Sequence, residues 1–112
     1  MSAAAWERYR RGGRASLSSS EEVAEAVRHS LRLFEEANPG RAVEVRVVPF
    51  AAVSVLAGAK HRRGTPPAVV EMDAATWLAL ATGRLSWQDA EQSGAVDATG
   101  EKSDLSDYLP LC

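Results

Sequence analysis

The segment from Gly64 to Leu85 constrains the fold most, because it carries a loop end, a strand, a helix and a helix stop in that order. Pro66 and Pro67 cannot continue a helix or donate to a sheet ladder, so a loop ends there. The next five residues, 68–72, form a short apolar run with two β-branched valines. Such a run predicts one buried strand.

A capped helix follows that strand directly. Asp73 is a good N-cap, because its carboxylate can accept from the free amides of the first helical turn. Residues 74–82 include neither Gly nor Pro, and Gly83 supplies the left-handed residue that closes a helix. The same signals repeat downstream and predict three further elements: a helix over 87–93 capped by Ser86, a strand over 95–99, and a last helical turn or two over 104–109 capped by Ser103.

A long amphipathic helix is predicted upstream of the first strands. Its start is a capping box, in which either Ser18 pairs with Glu21 or Ser19 pairs with Glu22. Apolar residues recur at helical spacing until Asn38-Pro39-Gly40 ends the pattern: Val23, Val27, Leu31 and Phe34. The opposite side carries acidic as well as basic residues, which favours a helix that covers a core over one that lies on a membrane.

Two strands are predicted between this helix and Gly64. Residues 43–47 alternate three valines with two charges, and residues 51–57 read as the returning strand of a hairpin. The fold class is therefore α+β: a helix, a three-strand antiparallel meander, a helix pair, a further strand and a short C-terminal helix. Residues 21–112 form a single domain, and residues 1–20 are expected to be a loosely ordered arm or a short helix whose aromatic residues pack on the body.

Composition excludes several functional classes. A formal net charge of −2 argues against nucleic acid as a partner, since such domains are normally basic. The single cysteine, Cys112, cannot form an internal disulfide, which favours the cytoplasm. No apolar run reaches about 18 residues, so no membrane span is expected.

The catalytic inventory is thin. The two histidines and Cys112 do not fall at metal-ligand spacings. Phosphate-binding, dinucleotide-binding and nucleophile-elbow motifs are also missing from the sequence. We therefore expect no enzyme activity, no cofactor and no metal.

The ordered string from Asp73 onwards, D-x-x-T-W-L-x-L-x-x-G-x-L-x-W-x-x-A-x-x-x-G-x-V-x-x-x-G, resembles the C-terminal half of sterol carrier protein-like domains. Together with Pro39-Gly40, the strand at 43–47 and His61-x-Arg63-Gly64-Thr65-Pro66-Pro67, it resembles a small actinobacterial branch of that superfamily. The resemblance covers roughly residues 21–111.

This resemblance implies a non-catalytic domain that binds or carries a fatty acyl or sterol-like ligand between its sheet and helices. Two tryptophans on consecutive helices supply large, rigid apolar walls. The implied pocket walls are Val45, Val47, Trp77, Leu80, Trp87 and Leu105, and the basic loop over 60–65 would meet a polar headgroup through His61, Arg63 and Thr65.

An alternative fits the same residues. The two tryptophans would fill the core, Arg63 and Thr65 would pin their loop by hydrogen bonds, and no ligand would bind. The chain would then be an accessory or interaction domain that forms a homodimer or binds another protein.

Overall fold

The structure is a computed structural model, which describes residues 3–57, 67–100 and 103–111. In chain order its helices and strands are α1 (Ala4–Gly12), α2 (Ser20–Ala37), β1 (Val43–Val48), β2 (Ala51–Val55), β3 (Ala68–Asp73), α3 (Ala74–Ala81), α4 (Trp87–Ser93) and β4 (Val96–Thr99). Short 3-10 turns at Gly13–Ser16 and Ser106–Tyr108 complete the described chain. The predicted α+β class is confirmed.

The four strands form one mixed sheet in the order β2-β1-β3-β4. β1 pairs antiparallel with β2 and parallel with β3, and β3 pairs antiparallel with β4. The predicted three-strand antiparallel meander is therefore wrong at β3, which lies beside β1 rather than beside β2. β2 ends beside the start of β1, and β3 begins beside that same start. As a result β3 runs in the same direction as β1.

Side-chain caps fix the helix starts. Ser19 Oγ accepts from the amide of Glu22 at 3.2 Å, and the Glu22 carboxylate in turn accepts from the amide of Ser18 at 2.7 Å. Ser19 is thus the N-cap of a capping box. The Glu22 side chain bonds to the amide of Ser18, the residue before the N-cap, and not to the amide of the N-cap itself. Asp73 caps α3 as predicted, with its Oδ1 2.8 Å from the amide nitrogen of Thr76.

The C-terminal segment differs from the prediction. It forms only the 3-10 turn Ser106–Tyr108 and not one or two α-helical turns. Ser103 does not cap it, because its hydroxyl donates to the carbonyl of Gly100 at 3.2 Å. The carboxylate of Asp104 accepts from the amide of Ser106 at 2.8 Å instead.

One face of the sheet carries the core. The alternating valines of β1 and the inward residues of β3 are buried on this face, where α2 packs against β2 and α3, and α3 packs against β1 and β3. The opposite face presents Glu44, Arg46, Glu71 and Asp97, which are exposed or half-buried. A two-layer arrangement results, with helices on one side of the sheet only among the described residues.

The N-terminal segment forms α1, not a loosely ordered arm. Trp6 and Tyr9 are each only 3% exposed, and α1 packs along α2. The Arg84 guanidinium lies 5.0 Å from the centre of the Tyr9 ring and donates to the carbonyl of Arg10 at 3.2 Å. These contacts attach α1 to the turn that follows α3.

Helices long and apolar enough to cross a membrane do not occur in the parts of the chain that the structure describes.

Candidate functional site

All six residues predicted to line a pocket lie in one continuous hydrophobic core. Val45, Val47, Trp77 and Leu105 have no exposed surface, Leu80 is 1% exposed, and Trp87 is 5% exposed. A side chain that borders a cavity large enough for water retains accessible surface, so the first four border no such cavity. The structure therefore brings the six residues together, and it packs them closely against their neighbours.

Trp77 is held by a buried polar contact that the sequence analysis missed. Its indole Nε1 donates to Ser30 Oγ at 2.8 Å, and the Ser30 hydroxyl donates to the carbonyl of Ala26 at 2.7 Å. The Phe34 ring lies 5.4 Å from the Trp77 ring, at 60°. The sequence feature that could have indicated this contact is Ser30, a serine within the apolar stripe of α2. This contact joins α2 to α3 and fixes the orientation of Trp77.

Trp87 differs from Trp77 because its polar atom is unpaired. The indole Nε1 of Trp87 is buried and has no hydrogen-bond partner among the described residues. Leaving a buried donor unpaired costs about 1–3 kcal/mol, so each such group in a folded domain calls for an explanation. Trp87 is the first residue of α4 and has the largest exposed fraction of the six. Trp87 is therefore the position where an acceptor atom of another molecule could reach the core.

The elements around Trp87 are less extensively packed than those around Trp77. α4 packs chiefly against β4, the short edge strand of the sheet, whereas α3 contacts α2, β1 and β3. Elements with few packing partners open at lower free energy than the core of a domain. The boundary between α4 and the sheet is therefore less extensively packed than the surroundings of α3.

The predicted headgroup contacts cannot be placed. His61, Arg63 and Thr65 lie outside the described residues, as does Cys112. Their role in binding a polar headgroup stays a prediction.

An open groove of about 640 Å³ runs along β2, away from the six core residues. The middle of β2, Ala52–Ser54, forms part of its lining, together with the charged side chains of Glu35, Arg41 and Glu44. None of the six predicted wall residues lines this groove. The groove is therefore distinct from the predicted pocket.

Among the described residues, the titratable groups with perturbed pKa values lie on α1 and at the start of α2. Hydrogen bonds from the amide and hydroxyl of Ser18 hold the pKa of Glu22 below its ordinary value. Burial raises the pKa of Tyr9. Across the described residues there is no group of three or more His, Cys, Asp or Glu side chains that could hold a metal ion.

The family model described as "Bacterial SCP ortholog" matches residues 19–111, which is most of the chain. The chain therefore belongs to this sterol carrier protein-like family, as the ordered string in the sequence indicated. A search of curated proteins returned no match. The matched region begins one residue before α2, so α1 and the turn after it lie outside the family domain.

Proposed function

We propose that this chain is a non-catalytic domain that binds an apolar, lipid-like small molecule between its sheet and the helices α3 and α4. The observation that carries the proposal is Trp87, whose buried indole N–H has no acceptor among the described residues and lies at the edge of a large apolar core. A fatty acyl or sterol-like molecule is mostly apolar and carries one oxygen-bearing end. Such a ligand matches one buried donor beside apolar side chains. Family membership supports the same class of ligand.

In this proposal the ligand enters beside Trp87. The oxygen of the ligand accepts from the indole N–H, and the apolar part separates α4 from the sheet and contacts Leu80, Trp77 and Leu105. The described core borders little free space there. Binding therefore requires α4 to move, and its limited packing lowers the free-energy cost of that movement.

The proposal predicts that the N–H of Trp87 contributes to affinity. Delipidated protein is titrated with a fluorescent fatty acid, and the Trp87→Phe variant is compared with the natural sequence. Phenylalanine keeps an aromatic ring and removes the donor, so affinity should fall about 5–30-fold, which corresponds to about 1–2 kcal/mol. Trp6→Phe is the matched control, because Trp6 is equally buried but lies on α1. Its affinity should equal that of the natural protein.

A second candidate is favoured by the absence of exposed surface at Val45, Val47, Trp77 and Leu105. If the core stays closed, the chain is an accessory or protein-interaction domain with no ligand. In the same titration, no saturable binding of fatty acids or sterols at any concentration would support this candidate and refute the carrier. A cytoplasmic location is part of both proposals.

A further inference from the structure

The edge of the sheet at β2 carries unpaired backbone groups in a defined pattern. The carbonyl of Ala42 accepts from the amide of Ala68, so the even-numbered residues of β1 direct their backbone groups towards β3. The odd-numbered ones then face β2, and Val45 pairs with Val53. Because successive residues of a strand alternate, the backbone groups of Ala52 and Ser54 point away from the sheet.

These groups are accessible. Ala52 and Ser54 are exposed, and both lie in the open groove along β2. Further along, the amide of Leu56 also faces away from β1, but it donates to the carbonyl of Asn38 at 2.8 Å. Among the described residues, the free part of this edge is therefore two N–H groups and two C=O groups, at Ala52 and Ser54.

The side chains of β2 do not protect this edge. Natural proteins guard exposed edges with charged residues, prolines, bulges or very short strands. The five residues of β2, Ala51–Val55, contain neither a charge nor a proline. The opposite edge strand, β4, has four residues and includes Asp97. Within the described residues of the two edge strands themselves, only β4 is as short as four residues and carries a charge.

We propose that β2 pairs with β2 of a second copy of this chain in an antiparallel dimer, about a two-fold axis at Val53. This register places Ala52 of each copy opposite Ser54 of the other. Each pair exchanges two hydrogen bonds, so both free N–H groups and both free C=O groups of each copy are satisfied. The two four-stranded sheets would join into one continuous sheet.

A second copy fits this edge for two reasons. Antiparallel pairing about a two-fold axis is self-complementary, as an interface between identical subunits must be. The facing side chains are small and uncharged, so no like charges lie opposite each other, which would destabilise the pairing. The proposed pairing uses the β2 edge, whereas Trp87 lies on α4, which packs against β4 at the opposite edge of the sheet. The pairing therefore does not depend on the proposed ligand.

The register can be tested with charge pairs. In the variant Ala52→Lys/Ser54→Lys, each introduced lysine faces a lysine of the second copy directly. In Ala52→Glu/Ser54→Lys, each introduced glutamate faces a lysine. The matched control is Asp97→Lys/Thr99→Lys on β4. Register pairing places Ala52 and Asp97 at the two ends of one cross-strand row, and Ser54 and Thr99 at the ends of the next.

Sedimentation equilibrium of the full chain should show a monomer–dimer equilibrium between about 1 µM and about 1 mM, since strand pairing alone makes a small interface. The lysine–lysine variant should weaken dimerisation at least tenfold, the glutamate–lysine variant should restore it, and the β4 control should leave it unchanged. Circular dichroism checks that each variant is folded. A monomer throughout this range would overturn the proposal. So would a dimer that the β2 variants leave intact or that the β4 variant dissociates.

Discussion

The buried contact between Ser30 and Trp77 makes a sharp prediction about stability. Replacing Ser30 by alanine removes one hydroxyl from a fully buried position and leaves the backbone of α2 intact. The carbonyl of Ala26 loses only the hydrogen bond from the Ser30 hydroxyl. The indole N–H of Trp77 loses the acceptor that lies 2.8 Å away, in a site with no exposed surface.

The magnitude follows from that unpaired donor. A buried donor left without an acceptor costs about 1–3 kcal/mol, whereas alanine regains a few tenths of a kcal/mol through its higher helix propensity. We therefore expect Ser30→Ala to lower the free energy of unfolding by about 1–2.5 kcal/mol. Urea denaturation, followed by far-UV circular dichroism, measures this difference directly.

Ser93 offers a matched control within the same chain. It is also a helical serine whose hydroxyl donates to a carbonyl in the preceding turn, that of Ala90 at 3.2 Å, but its side chain is exposed and no indole donates to it. Ser93→Ala should change the free energy of unfolding by less than about 0.5 kcal/mol. The difference between the two serines isolates the contribution of the Trp77 hydrogen bond.

A double-mutant cycle tests the cause. Trp77→Phe removes the donor together with part of the ring, and it destabilises the protein through the resulting cavity. Once the donor is absent, Ser30→Ala should cost little more. The double variant should then be more stable than the sum of the single effects predicts, by about 1 kcal/mol or more. Additive effects, or a Ser30→Ala variant as stable as Ser93→Ala, would refute this reasoning.

Three further predictions concern other parts of the chain. Trp6→Ala should lower the free energy of unfolding by about 3–5 kcal/mol in urea denaturation, because Trp6 is buried between α1 and the body. A loss below about 1 kcal/mol would mean that α1 is not part of the cooperative unit. Asp73→Ala should lower the free energy of unfolding by about 1 kcal/mol through loss of the N-cap of α3, whereas Asp73→Asn should retain most of the stability. Equal losses for the two variants would contradict the capping role. Glu22 has a lowered pKa in the folded state, so its contribution to stability is present above its unfolded-state pKa, near the ordinary 4.5, and is lost as the pH falls through the folded value. Glu22→Gln should therefore flatten the dependence of the unfolding free energy on pH in that acidic window, and an unchanged dependence would contradict this.

Local chemistry was enough to predict the starts of α2, α3 and α4 and most strand positions. Asp73 and Ser86 cap their helices as their side chains suggest, and the alternating valines of β1 lie in the core as their spacing requires. These features depend on contacts within a few residues, so the sequence carries them directly.

The strand pairing could not be read in the same way. Whether β3 lies beside β2 or beside β1 depends on pairing between residues far apart in the sequence, and alternation along a strand is the same for parallel and antiparallel partners. The packing of α1 depends similarly on Arg84, which lies far away in the sequence.

Ligand binding by the candidate site residues stays a prediction. The apolar residues expected around a ligand do meet in one core. Their close packing and the different hydrogen-bonding states of Trp77 and Trp87 depend on Ser30 and on the burial of α4, which spacing alone does not encode.

The proposed function depends on the binding of an apolar ligand, through its oxygen acceptor, at Trp87. The most direct measurement is the indole N–H signals in a ¹H–¹⁵N NMR spectrum of the delipidated protein during titration with a fatty acid. The chain contains three tryptophans, and Trp6→Phe and Trp87→Phe assign their signals. We expect the Trp87 signal to shift saturably while that of Trp6 stays in place. A Trp87 signal that does not move up to the solubility limit of the ligand would contradict it.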